Sequence, residues 1–117
     1  SVRSIERLSF LADAARSHLE TLGYSNFLLR ASDGSYGWAD EAPFDAIVAA
    51  AAARVPPRPW FSQLGAGGRL VLPVGDRSLQ RLVRYECESE GKFRGPETLV
   101  NCVYVKLVGE FGWPDET

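Results

Sequence analysis

At 117 residues the chain is expected to form a single domain, and its 45% hydrophobic and 24% charged residues argue against disorder. Its 13 Lys and Arg against 15 Asp and Glu give a formal net charge of -2 with the basic residues scattered, which argues against a nucleic-acid or anionic membrane partner. No apolar run approaches the ~20 residues of a membrane span and no secretory signal is recognisable, so a cytoplasmic location is expected. Cys87 and Cys102 have neither CxxC nor Cys/His spacing; they are expected to be reduced, packed thiols, and no metal site is expected. The sequence contains no Met and begins at Ser1, which fits either a removed initiator or a fragment.

Val2 to Ile5 reads as a short strand. Leu8, Leu11, Ala15, Leu19 and Leu22 then recur at three- and four-residue intervals, which predicts an amphipathic helix, with Gly23 as its left-handed stop. Phe27 to Ala31 is too short for a helix and apolar enough for a buried strand, and Ser32-Asp33-Gly34-Ser35 breaks it with turn chemistry. Ala46 to Ala53 is almost continuously apolar. Alanine favours helix, yet the run opens Ala46-Ile47-Val48 after a loop and ends near Pro56-Pro57, so a strand buried on both faces is predicted from Ala46 to about Ala50.

Pro57 to Leu64 is predicted as a short helix ended by Gly65-Ala66-Gly67-Gly68, and Arg69 to Val74 as a strand with Pro73 near its end. Leu79 to Glu88 and Leu99 to Leu107 alternate with period two and are expected to pair antiparallel, joined through Gly91 to Pro96. Helix and strand alternate first and strands accumulate later. The expected fold class is therefore α/β, one domain over residues 1–117, with a largely parallel sheet and an antiparallel C-terminal edge.

Parallel sheets bind ligands beyond the carboxyl ends of their strands, which draws attention to three places. Glu6 follows the first strand, where a carboxylate can accept from both hydroxyls of a ribose; a helix-start Glu complementing the helix dipole is the plainer alternative. Asp33-Gly34 follows the next strand, where a carboxylate can accept from an amino group and glycine admits a planar ring, against the alternative of a simple Asx turn. Ala50-Ala51-Ala52 leaves room for a ligand at the sheet edge, or is close packing. Gly65 to Gly68 precedes a strand, whereas phosphate loops follow one and open a helix, so a phosphate role is rejected. His18, the one histidine, falls on the polar side of the first helix and completes no nucleophilic triad. No GxGxxG follows a predicted strand, which argues against a nicotinamide-binding domain.

Ser4-Ile5-Glu6-Arg7, Leu22-Gly23-Tyr24, Asp33-Gly34-Ser35, Ala42-Pro43-Phe44-Asp45-Ala46-Ile47, Leu64 through Gly75, and Val105 to Trp113 match one family in order and spacing. They resemble protein-L-isoaspartate O-methyltransferases. Gly-Gly-Arg-Leu alone is common among methyltransferases; the run from Gly67 through Pro73-Val74-Gly75 is more particular. The resemblance implies a Rossmann-like fold that uses S-adenosylmethionine to methylate the α-carboxyl of L-isoaspartyl residues, the first step in repairing damaged Asp and Asn. It further implies that Glu6 holds the cofactor ribose, that Asp33 and Gly34 border the adenine, and that Val103, Tyr104 and Val105 run beside the substrate peptide; Ala50 and Ala51, small residues at the sheet edge, are expected to leave room for the substrate.

The resemblance is to the C-terminal portion of such proteins. The family's N-terminal catalytic segment, with a Ser in a Gln-Thr-Ile-Ser-type stretch, and its Gly-rich cofactor loop are not found, so no catalytic residue is assigned. Ala50 stands where the family usually has Thr and Ser32 where it usually has Gly. The expectation is a truncated fold lacking a central strand and inactive as this chain alone; the alternative is a non-catalytic remnant acting as a binding or self-associating module. Expected partners are isoaspartyl-containing peptides or proteins, a second copy, or a separate N-terminal segment.

Overall fold

The computed structural model describes residues 1–116, and the chain divides into two compact units, Ser1–Gly34 and the remainder from Ser35 onward. In the first unit, strand β1 (Val2–Glu6) and strand β2 (Phe27–Ala31) pair in parallel, from Val2↔Phe27 to Glu6↔Ala31. Helix α1 (Ser9–Thr21) makes the crossover that a parallel pair requires. Its covered side is Ala12, Ala15, Arg16 and Leu19, with Ala12 buried and Arg16 donating to the Leu29 carbonyl at 2.8 Å; Leu11 and Leu22 remain exposed. Gly23, at φ 89°, closes the helix as its position predicts, with the Gly23 and Tyr24 amides donating to the Glu20 and Leu19 carbonyls.

The second unit is built on a four-stranded sheet in the order β3 (Phe44–Val48), β4 (Leu64–Gly75), β5 (Gln80–Ser89), β6 (Lys92–Cys102), with helix α2 (Arg58–Ser62) between β3 and β4. β3 and β4 are parallel, and the two later pairs are antiparallel. The expectation of a largely parallel sheet is thus corrected to a mixed one, because the tight connections after Gly75 and Ser89 leave room only for antiparallel return. The expected strand over Ala46 to Ala50 lies two residues earlier, and Ala50 and Ala51 sit in the bend that follows it.

Gly65 to Gly68, expected to end the preceding helix ahead of the strand, belongs to β4. The register jumps from Phe44↔Leu64 to Ala46↔Arg69, so the extra residues bulge out of the ladder, with Gly67 at φ 80°. A Cβ on Gly68 would lie 3.0 Å from the Phe44 carbonyl oxygen, a contact only glycine avoids. β6 also begins earlier than expected, since Gly91 at φ 73° completes a tight turn and Lys92 already pairs with Ser89. It ends at Cys102, opposite Gln80, where β5 begins, so Val103, Tyr104 and Val105 lie beyond the strand and not within it.

Leu70 and Leu72 project from one face of β4 into a core with Trp60, Leu64, Val83 and Cys87, against which Phe61, Tyr85 and Leu107 pack. β6 has almost no buried residue and holds its place at the edge by other means. Phe93 meets Phe61 edge-on at 5.1 Å between centroids, and Arg94–Glu86 (2.5 Å) and Arg84–Glu97 (2.6 Å) pair across the strands. Opposite charges directly across a ladder penalise slipped registers more than they stabilise the sheet.

Two polar clusters fix the loops. Gln63 is buried at the end of α2, where its side chain accepts from the Trp38 amide (2.9 Å) and donates to the Tyr36 carbonyl (2.8 Å), tethering the segment ahead of β3. Asp76 organises the β4–β5 turn by accepting from the Ser78 and Leu79 amides, each at 2.9 Å, and from the Ser78 hydroxyl at 3.0 Å. These bonds, led by that from Leu79, hold the Asp76 carboxyl below its ordinary value of 3.8. The folded state then binds this proton less readily than the unfolded one, so the stabilisation is complete above 3.8 and is lost as pH falls through the lower native value. Asp76→Asn is accordingly expected to be less stable than wild type near neutral pH, with the gap closing on acidification. Urea midpoints at about pH 6 and about pH 3 measure this, and an equal gap at both would count against the charged turn.

Candidate functional site

Glu6 and Asp33 stand at the carboxyl ends of two adjacent parallel strands, the last register pair being Glu6↔Ala31. The chain leaves β2 with the Ser32 amide donating to the Glu6 carbonyl at 3.0 Å, which sets Asp33 and Gly34 just past the strand end on the side of Glu6. One carboxylate oxygen of Glu6, Oε1, accepts from the Leu8 amide at 3.2 Å, ahead of α1; the other has no partner among the described residues. One oxygen of Glu6 thus supports the helix start, as the plainer reading from sequence has it. A Cβ on Gly34 would meet Ile5 Cγ2 at an ordinary 3.8 Å, so the glycine is not forced by a clash. The first unit thus brings together the three residues expected to bind cofactor: Glu6, Asp33 and Gly34.

The residues expected to bind substrate lie in the second unit. Ala52, almost fully buried, forms a parallel bridge with Lys106: its amide donates to the Val105 carbonyl at 2.7 Å and its carbonyl accepts from the Leu107 amide at 2.8 Å. Ala50 and Ala51 precede this bridge, Ala50 exposed and Ala51 half-buried. On the opposite side of the 103–105 segment the Tyr104 amide donates to Gln80 Oε1 at 2.5 Å, and Gln80 Nε2 points to the Tyr104 carbonyl at 3.4 Å. N–H and C=O groups alternate direction along an extended chain, and with Tyr104 turned to Gln80 the neighbouring residues turn the other way. The amide and carbonyl of Val103 and the amide of Val105 have no partner among the described residues, and these two side chains are 66% and 74% exposed. A short row of donor, acceptor and donor is left on the surface.

Gln80 was not singled out by the sequence, because nothing in a lone glutamine at a strand start announces a partner 24 residues away. Neither was a cavity of about 220 Å³ lined by Arg54, Val55, Phe111, Gly112, Trp113 and Pro114, in which the Arg54 guanidinium lies 3.8 Å above the Trp113 ring. None of the expected site residues lines it. His18 is exposed on α1, and among the described residues no three His, Cys, Asp or Glu side chains gather as a metal-binding group.

Residues 1–112 match the family model of protein-L-isoaspartate(D-aspartate) O-methyltransferase (PCMT). Among curated proteins, the protein-L-isoaspartate O-methyltransferase of Syntrophus aciditrophicus is 50% identical over 113 residues, 96% of this chain and 52% of that protein. Protein-L-isoaspartate O-methyltransferase 1 of Syntrophobacter fumaroxidans is 48% identical over 96% of this chain and 51% of its own length. The chain thus spans about half the length of the curated relatives it matches. Among solved structures, a protein-L-isoaspartate O-methyltransferase superposes with a TM-score of 0.78 at 24% identity, over 94% of this chain and 35% of its own. A Plasmodium falciparum protein assigned to the same activity, solved in complex with S-adenosyl-L-homocysteine, gives 0.71 at 20% identity over 91% of this chain and 51% of its own. At such identities these likenesses establish the fold: a Rossmann-like α/β methyltransferase fold with a mixed sheet.

The same matches overturn the expectation of a truncated C-terminal remnant. The family model covers residues 1–112, and the solved relatives superpose over nearly the whole chain. The expectation of a lacking N-terminal catalytic segment, the inactivity inferred from it and the alternative of a non-catalytic remnant are withdrawn together, since where a sequence begins carries no argument about activity. On the family model and on relatives about half identical in sequence, the chain belongs to the protein-L-isoaspartate(D-aspartate) O-methyltransferase family.

Proposed function

We propose that this chain serves the transfer of a methyl group from S-adenosylmethionine to the α-carboxyl of L-isoaspartyl residues in proteins, a repair reaction of the cytoplasm. The observation that carries the reading is the unpartnered Glu6 oxygen at the end of β1, beside Asp33 and Gly34 at the end of β2. The donor chemistry fits. A ribose presents two hydroxyl donors and an adenine an amino donor, and two carboxylates at adjacent strand ends are acceptors for them. S-adenosylmethionine, when bound, supplies an electrophilic methyl group. Glu6 would hold the ribose, and Asp33 with Gly34 would border the adenine.

The row formed by Val103 and Val105 suits an extended peptide, which offers complementary acceptor, donor and acceptor groups from its main chain and leaves its side chains to be sorted by what surrounds them. The small side chains of Ala50 and Ala51 would leave room for the residue to be methylated. A carboxylate nucleophile is most reactive when held in line and stripped of water, so the work asked of these residues is orientation and desolvation. Two free cysteines, one of them buried Cys87, suit a reducing compartment.

The test is methylation of an L-isoaspartyl peptide by the protein with methyl-labelled S-adenosylmethionine, beside the same peptide carrying normal Asp. Labelling confined to the isoaspartyl peptide is expected. No labelling, together with S-adenosylhomocysteine binding weaker than about millimolar, would overturn the proposal.

A further inference from the structure

We propose that Gln80 is a positioning residue for the peptide: its side chain stands in for a missing stretch of β5 and holds the 103–105 segment with its outer row of main-chain groups presented to substrate. The inference rests on the reading of Val103 and Val105 as the edge that meets the peptide. The β5–β6 ladder stops at Gln80↔Cys102 because β5 has just emerged from the turn that Asp76 organises, so no main chain remains to pair with Tyr104. Gln80 supplies the equivalent. Its Oε1 accepts from the Tyr104 amide (2.5 Å), while Nε2 donates to the Asp76 carbonyl (2.7 Å) and points to the Tyr104 carbonyl (3.4 Å). A carboxamide carries one acceptor and two donors in a plane, as two peptide groups would, and no other uncharged side chain of this size except asparagine's does.

The clamp is built in and not incidental. Gln80 is 1% exposed, so its amide has no water to turn to and must keep protein partners. Gly75, paired with Gln80 across the turn, has no side chain; a Cβ there would lie 2.8 Å from Gln80 Cα, so glycine is what allows the glutamine this close to the strand. Behind Tyr104 stands Gln80 and beyond Val105 stands Ala52, whose amide takes the Val105 carbonyl. Between these two anchors, only the Val103 groups and the Val105 amide are left for a peptide. A freely moving segment would have to be ordered by each substrate, whereas a clamped one is ordered beforehand.

The experiment compares wild-type protein with Gln80→Leu and Gln80→Glu, titrating each with an L-isoaspartyl peptide while following the amides of residues 103 to 105 by NMR. In wild type the Tyr104 amide is expected to be protected from exchange before peptide is added, and the Val103 and Val105 amides only afterwards. Gln80→Leu should lose the Tyr104 protection, bind peptide about tenfold more weakly and raise KM about tenfold, with kcat and S-adenosylhomocysteine affinity within about twofold of wild type. Gln80→Glu keeps the acceptor for Tyr104 but loses the donor, so it should fall between the two and serves if the leucine variant does not fold. A folded variant that has lost Tyr104 protection yet binds peptide as wild type does overturns the positioning role alone. Wild type that fails to bind the peptide at all overturns the peptide edge itself, and with it the role of Gln80.

Discussion

Replacing Leu72 by alanine is expected to destabilise the fold by about 2–5 kcal/mol, a large share of the roughly 5–15 kcal/mol typical of a domain. Leu72 is fully buried on β4, a strand with a neighbour on each side, and is paired with Val83 of β5. Its face also carries Leu70, and both pack into the cluster with Trp60, Leu64 and Cys87. Truncation removes the transfer energy of the lost methyl groups and leaves a cavity among close-packed side chains that relax only partly to fill it. Leu99→Ala makes the same chemical change on β6, where the side chain is 43% exposed, and should cost no more than about 0.5 kcal/mol. Urea denaturation of the two variants separates them, and comparable losses at both sites would mean that β4 is not the centre of the core.

Strands bounded by turn residues were legible from sequence and the edge strand β6 was not, for physical reasons that individual residues show. Phe27 to Ala31 was readable because an apolar run between Asn26 and the Ser32-Asp33-Gly34 turn has one economical conformation, and the observed strand has those bounds. β6 was misjudged because Gly95 and Pro96 are turn residues by local chemistry, yet on an edge strand proline gives up a donor that no neighbour needs. What keeps that stretch extended is a set of partners far off in sequence: Phe61 for Phe93, Glu86 for Arg94, Arg84 for Glu97. Gly65 to Gly68 misled in the same way, since a bulge inside a strand and a loop between elements call for the same glycines.

The candidate site divides along a similar line. Glu6 and Asp33 could be placed at strand ends from sequence, because a strand end is visible as an apolar run giving way to polar residues, and ligand sites of parallel sheets fall there. Val103 to Val105 were reached through the family resemblance and not through a local pattern, while Gln80, a carboxamide reaching the end of β6 from the start of β5, was reached by neither route. Periodicity reports which face of an element is buried. It does not report which main-chain groups are left over.

Glu6→Ala is the substitution expected to cost most in cofactor binding. One oxygen of Glu6 supports the Leu8 amide and the other is unpartnered, so the variant loses the acceptor proposed for the ribose and one main-chain contact at the start of α1. Hydrogen bonds to a charged group contribute about 1.5–3 kcal/mol each, so losing one to a ribose hydroxyl should weaken S-adenosylhomocysteine about 10- to 150-fold. The stability cost should be far smaller, because the Leu8 amide is only partly buried and water can replace the carboxylate there. Asp13→Ala provides the comparison: it removes a carboxylate from the same unit, on the exposed side of α1 where it pairs with Arg16 at 3.0 Å, and should leave cofactor affinity unchanged. Calorimetric titration of the three proteins decides the matter. Equal weakening in both variants would point to a general loss of negative charge, equal affinity in all three would remove Glu6 from the cofactor site, and a loss confined to Glu6→Ala would place the ribose at the end of β1.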